Sequence, residues 1–309
     1  MRLLCAVMSA RDWILLLILS TVWGGSFFFS AIALQTLPPF TVVLGRVSLA
    51  AITLLLIARW RGEHLPVSTA IALRYLLLGG ISNALPFSLI VWGQTQIPSG
   101  LASIINAMTP IWAVVVGLLI GSAERVTVGK AIGVLLGFLG VAVLIGPDLL
   151  GELDPYSLAQ LSALAATVCY GFAVHYGRQF GNTPALVNAA YMLSAATVWL
   201  LPVAIIVDQP WTLSPGASGW AALLGLALLC TAFAYLLYFR ILASAGATNM
   251  SLVTFLVPLT AISLGAIFLA ERLGSSALMG MAILFTGLAV IDGRLWRSVK
   301  TLKCPLKHY

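Results

Sequence analysis

The chain has 309 residues, of which 61% are hydrophobic and 8% charged, and it carries a net charge of +7. A water-soluble domain is about 25% charged, so this composition excludes a surface that faces water all round and points to an integral membrane protein. The positive balance suits anionic lipid headgroups rather than nucleic acid, and no nucleic-acid partner is expected.

Ten apolar segments follow one another at 12–34, 40–59, 72–93, 99–121, 128–147, 156–177, 186–207, 218–240, 246–268 and 275–295. Each has roughly the 20 residues that cross about 30 Å of hydrocarbon as a helix. The alternating ten-residue segments of a barrel are absent, so the fold class is all-α with ten transmembrane helices. The first segment follows Arg2 and Arg11 like a signal peptide, yet it is too long and lacks a small-residue cleavage site. It is read as a retained helix.

The second segment holds Arg46, the one deeply placed charge. An arginine at such depth is costly unless it snorkels or pairs, and pairing with Asp208 or Glu271 is favoured here over contact with a substrate carboxylate. The third segment places Asn83, Phe87 and Gln94 on one face, and the fourth places Ser99, Ser103, Asn106 and Pro110 at helical spacing. In lipid such polar faces must look inward. Gly129, Gly133, Gly137 and Gly140 stripe the fifth segment, with Gly280 and Gly287 in the tenth, as close helix packing in lipid requires. The polar stretch 148–155 then divides the chain. The expected units are a five-helix repeat over 1–147, a second over 148–297, and a basic cytoplasmic tail at 298–309, read as a lipid-surface anchor or a disordered end rather than a functional module.

Beyond the divide, the eighth segment offers Thr231, Tyr235 and Tyr238. The ninth offers Ser251, Thr254 and Pro258, repeating the spacing of Ser103, Asn106 and Pro110 except that all three sit one half later. Both prolines fall near mid-span, where the missing N–H breaks the helical ladder. Trp13, Trp60, Trp199, Trp211 and Trp296 lie near segment ends and are assigned to the interfacial belt. Cys5, Cys169, Cys230 and Cys304 show neither paired nor metal-type spacing, so no disulfide, metal, cofactor or catalytic residue is expected.

The two halves repeat a motif. Pro110, Glu124-Arg125, Gly133, Gly140 and Ala142-Val143 return as Pro258, Glu271-Arg272, Gly280, Gly287 and Ala289-Val290. The spacing from glutamate to each glycine, 9 and then 16 residues, is identical in both copies. Trp23-Gly24 and Tyr170-Gly171 each begin 101 residues before their glutamate. Only the proline breaks step, 14 residues ahead of the glutamate in one copy and 13 in the other. Because each copy closes a block of five spans, the halves cross the bilayer in opposite directions. Inverted repeats with interrupted helices in matching positions characterise secondary transporters, whose site lies near the midplane.

With ten alternating spans, 14 Lys and Arg residues fall on the side of the two termini and Arg272 alone on the other. The positive-inside rule therefore places both termini in the cytoplasm. The expected cavity is walled by Trp23, Asn83, Phe87, Ser103, Asn106, Pro110, Tyr170, Thr231, Tyr235, Ser251, Thr254 and Pro258, with Arg46 as a charge contact or structural pair. No Asp or Glu lies at mid-membrane, which leans toward a facilitator, with coupling through His175 or through carbonyls unwound at Pro110 and Pro258 left open. An intramembrane enzyme acting on lipid-linked substrates is the alternative of a different class, and it would need acids, His or metal ligands clustered at one depth.

On the residues Trp23-Gly24, Pro110 through Glu124 to Gly140, and the second copy from Pro258 to Gly287, the chain resembles the drug/metabolite transporter superfamily in its ten-helix EamA-type branch. Within it, the chain is similar to the bacterial aromatic amino-acid exporters of the YddG type. That resemblance implies export of aromatic amino acids and related metabolites across the inner membrane by a multi-pass carrier. It implies a cavity walled by the third, fourth, eighth and ninth helices, with the fifth and tenth outside it. The expected partners are a small-molecule substrate, an amino acid or similar metabolite or an amphipathic drug, and membrane lipid, with a monomer as the unit.

Overall fold

The computed structural model describes residues 9–63, 68–121, 127–146, 154–181 and 183–293. The repeat boundary near 147, the tail at 298–309, Glu124, Arg125, Trp296, Cys5 and Cys304 lie outside the described residues. Ten apolar helices follow in order, and there is no strand among the described residues. They are α1 (Ala10–Ala33), α2 (Pro39–Trp60), α3 (Thr69–Gly93), α4 (Ser99–Leu119), α5 (Val128–Ile145), α6 (Pro155–Phe180), α7 (Ala185–Asp208), α8 (Ala217–Gly246), α9 (Val253–Phe268) and α10 (Ser275–Asp292).

Local chemistry sets the helix starts. Ser9 and Asp12 form a reciprocal capping box on α1, Thr127 accepts from the Lys130 N–H on α5, and Pro39 and Pro155 occupy first-turn positions where their missing N–H costs nothing. At α6 the Ser157 N–H donates to the Asp154 carboxylate at 2.7 Å, which holds that carboxyl below its ordinary range.

The packing repeats about a pseudo-two-fold axis. Helix α1 lies against α9 as α6 lies against α4, and α2 meets α8 as α7 meets α3. Helices α2 and α7 pair with each other, as do α5 and α10, so each pair crosses the axis. The α5–α10 crossing explains the glycine stripes: a Cβ built on Gly133 would stand 2.6 Å from the Gly287 carbonyl oxygen, and one on Gly287 would stand 2.6 Å from that of Gly133. Gly140 and Gly280 repeat the exchange at 2.8 and 2.5 Å. With no hydrophobic effect between helices in lipid, such backbone-to-backbone approach is what holds them.

The repeated aromatic-glycine dipeptides receive the same account. A Cβ on Gly24 would meet the Val257 carbonyl oxygen of α9 at 2.8 Å, and one on Gly171 would meet the Trp112 backbone of α4 at 3.0 Å. The glycine admits the neighbouring helix, and the aromatic beside it faces the centre.

Two of the three π-helical stretches among the described residues form a pair, the third being Ala204–Asp208 at the end of α7. Helix α3 carries a π-helical stretch at Gly80–Ala84 and α8 carries one at Gly225–Phe233, the matching place in the second half. Helix α4 is interrupted at residues 107–108, between Ser99–Asn106 and Thr109–Leu119, and Pro110 opens its second half. The Thr109 hydroxyl donates to the Asn106 carbonyl at 2.8 Å, satisfying the acceptor that Pro110 cannot.

Two expectations change here. Pro258 stays inside α9; the interruption there sits upstream, at Ser251 and Leu252, after Gly246 has left helical geometry at φ 78°. Consequently α8 runs on to Gly246 and α9 begins at Val253, later than residue 246. Trp199 is not a belt residue either: its indole N–H donates to the Leu76 carbonyl at 2.9 Å, tying α7 to the turn before the π stretch of α3. Trp60 and Trp211 remain strongly exposed at helix ends, as a belt requires.

Candidate functional site

Between the halves lies a cavity of about 750 Å³. Its walls come from α1, α2, α3, α4, α6, α7, α8 and α9, while α5 and α10 contribute no lining residue. Of the residues expected from sequence, Trp23, Phe87, Ser103, Asn106, Tyr170, Thr231, Tyr235, Thr254 and Pro258 line it, and so does Arg46.

Three others stand off its surface. Asn83 is fully buried one layer behind, where its amide oxygen accepts from the Tyr235 hydroxyl at 3.0 Å. Pro110 shapes the interruption of α4 without reaching the cavity, and Ser251 sits in the turn that precedes α9. The Tyr235–Asn83 bond joins the π stretch of α3 to the turn of α8 that follows its own π stretch, across the halves, so Asn83 positions a wall residue.

Aromatic rings form much of the wall. Trp23 lies 5.7 Å from Tyr238 between centroids, Tyr238 meets Phe239 edge-on at 5.1 Å, and Tyr235 stacks on Phe239 at 6.1 Å. Ser26, Phe27 and Ser30 of α1 and Asn188 of α7 also line the cavity. The α1 serines were legible, since positions 23, 26, 27 and 30 follow helical spacing on one face. A single Asn188 carried no such signal. Three amide oxygens of this lining, Gln94 Oε1, Asn106 Oδ1 and Asn188 Oδ1, have no hydrogen-bond partner among the described residues.

Arg46 departs from its favoured reading. It is 8% exposed, its Nε donates to the Thr231 hydroxyl oxygen at 2.9 Å, and its guanidinium carbon sits 4.0 Å over the Phe87 ring. Neither expected acid reaches it. Asp208 accepts from the Thr41 N–H at 2.6 Å and hydroxyl at 3.0 Å, and Glu271 accepts from the Ser99 N–H at 2.9 Å, the Ser99 hydroxyl at 2.7 Å and the Gly100 N–H at 3.3 Å. Both acids come from the second half and cap helices of the first, which the positive ends of α2 and α4 favour.

These contacts lie at the face away from the termini, where the amide of Gln94 also donates to the Phe27 carbonyl at 2.9 Å. At the other face, Arg178, Gly181 and Thr183 of the α6–α7 turn and Leu242 and Ala243 near the end of α8 belong to the cavity lining. The Ser244 hydroxyl donates to Asp12 at 2.7 Å, which puts this end of α8 beside the start of α1. The cavity lining thus runs toward the face of the termini, and inter-half hydrogen bonds stand at the opposite one.

Two inverted five-helix halves around a central, aromatic-walled cavity are the architecture of a membrane transporter. Both halves carry the same family signature. The chain belongs to the EamA-like transporter family, whose sequence profile matches it twice, over residues 12–146 and 157–292. It is 28% identical to the uncharacterized transporter YvbV of Bacillus subtilis, covering 91% of this chain and 92% of that one. It is 25% identical to the protein PecM of Dickeya dadantii, over 93% of this chain and 94% of that protein. It is 24% identical to the uncharacterized inner membrane transporter YedA of Escherichia coli, over 92% of each. A solved crystal structure superposes with a TM-score of 0.64 at 17% identity, covering 92% of this chain and 98% of the other, which supports the fold alone. The protein is a multi-pass membrane transporter of small metabolites.

Proposed function

We propose that this transporter exports amphipathic metabolites, aromatic amino acids and their relatives among them, across the bacterial inner membrane by alternating access. The observation that carries the reading is the central cavity, whose volume of about 750 Å³ suits a small ligand and whose walls combine rings with hydrogen-bonding groups. Trp23, Tyr170, Tyr235 and Tyr238 offer faces for an aromatic side chain, and the unpaired amide oxygens of Asn106 and Asn188 are acceptors for a substrate ammonium.

Orientation follows from charge. The positive-inside rule assigns the face of the termini to the cytoplasm, so the cavity in this state loads from the cytoplasm. Release on the far side requires the Glu271 and Asp208 contacts between halves to part. Other amphipathic metabolites would meet the same chemistry, and a substrate panel separates them. The test is counterflow of radiolabelled phenylalanine and tryptophan into proteoliposomes. Saturable counterflow is expected; equal uptake by protein-free liposomes would contradict the reading.

A further inference from the structure

Arg46 is a buried cation without a counter-ion among the described residues. It lines the central cavity, yet no Asp or Glu is among the lining residues. The two acids that could have reached it are held at helix starts by the Thr41, Ser99 and Gly100 groups. The thiol of Cys230 and the phenols of Tyr170 and Tyr235, neutral groups, line the same cavity.

Its position is built. The π stretch of α8 directs the Thr231 hydroxyl proton to the Leu226 carbonyl at 2.8 Å, leaving the oxygen to accept from Arg46 Nε at 2.9 Å. The Phe87 ring supports the guanidinium plane from one face at 4.0 Å. A guanidinium has five N–H donors, and only the Nε one is used by the protein among the described residues. The outer edge of the fork is therefore presented, planar and oriented, to the cavity. A planar cation in a cavity whose one other charged lining residue, among those described, is Arg178 at the mouth matches one carboxylate, which it can take with two parallel hydrogen bonds. A charge this deep in a membrane protein is costly unless it has such a task.

We infer that Arg46 is the carboxylate receptor of the central cavity, and that its ligands are organic acids with an apolar body, whether or not they carry an amino group. The inference rests on the cavity being the transport site. It goes beyond amino acids because no charged acceptor for an ammonium lines the cavity among the described residues: only neutral amide oxygens do, at Gln94, Asn106 and Asn188. Arg178 at the mouth adds a second positive charge on the path that an anion would take.

The test is a binding titration of purified protein in detergent, by calorimetry, with 3-phenylpropanoate, phenylalanine, 3-phenylpropanol, 2-phenylethylamine and hexanoate. Hydrogen bonds to a charged group imply that 3-phenylpropanoate binds about 10- to 100-fold tighter than the neutral alcohol of the same length. The amine should bind no better than the alcohol. In Arg46→Met the acid loses its advantage, and Arg46→Lys, which keeps charge but not the planar fork, retains only part of it. Equal affinity of wild-type protein for acid and alcohol overturns the inference, and that comparison needs no variant to fold. If hexanoate binds in an Arg46-dependent way while no aromatic probe does, the aromatic reading falls and the carboxylate inference stands. If phenylalanine shows saturable counterflow but acids hold no advantage, the transport reading stands and the inference falls. Absence of binding by every acid also overturns it.

Discussion

Glu271→Gln probes the closure of the cavity at the face away from the termini. The carboxylate spans the halves, accepting from Ser99 N at 2.9 Å, Ser99 Oγ at 2.7 Å and Gly100 N at 3.3 Å at the start of α4. Glutamine keeps the shape and one acceptor oxygen, but turns an NH2 toward an N–H donor and removes the charge. The loss is about one charged hydrogen bond, roughly 1.5–3 kcal/mol, plus about 0.3–1 kcal/mol of helix-terminus attraction. That total of about 2–4 kcal/mol corresponds to roughly 30- to 700-fold in the equilibrium between closed and open arrangements. Because Glu271 is half-buried, the low end applies, about 30-fold. The assay is labelling of Ser103→Cys, a cavity position one turn into α4 from Ser99, with an impermeant maleimide added from that face in a cysteine-free background. Labelling should accelerate by at least tenfold over the same reporter with Glu271 intact. A rate within threefold would refute the idea that this contact holds the far end shut.

Gly133→Ala should loosen the α5–α10 crossing, since its Cβ would meet the Gly287 oxygen at 2.6 Å, and overpacking of this kind costs about 1–3 kcal/mol. Gly129→Ala is the control, because its nearest neighbour, the Val290 oxygen, is 3.7 Å away; an equal fall in the detergent unfolding midpoint for both variants would count against the crossing. Asn106→Ala removes an acceptor that the protein leaves unpaired, so folded abundance should hold while KM changes. Tyr235→Phe strands the buried Asn83 oxygen and should cost about 1–3 kcal/mol of stability in chemical unfolding. Michaelis parameters unchanged in both Asn106→Ala and Tyr235→Ala would remove the two residues from the transport site.

The architecture was legible because lipid leaves the chain few choices. Apolar length sets the spans, and an odd number of spans per repeat sets the inversion. The glycines at 133, 140, 280 and 287 could be assigned to packing from spacing alone, and they meet across α5 and α10. What failed depends on events that spacing does not encode. Between Arg240 and Val253 no polar run marks a turn, so the end of α8 and the start of α9 were misplaced, and the positive φ of Gly246 does the work of a loop. Pro110 and Pro258 look equivalent in sequence, but only the first opens a new helical segment; the second half is interrupted a turn and more earlier. Arg46 was given a carboxylate partner because Asp208 and Glu271 were the acids within reach by depth. Helix starts on other elements claim both, through contacts 167 and 172 residues apart in sequence that no local pattern announces.

The central claim is that the two halves expose one cavity to each side of the membrane in turn. Thr254→Cys, in a background with the native cysteines replaced by serine, places a reporter on the α9 wall of that cavity. Labelled with an impermeant maleimide in right-side-out and inside-out vesicles, it should react from both sides, with transported substrate changing the two rates in opposite directions. Reaction from one side only, at a rate that substrate leaves unchanged, would contradict the account.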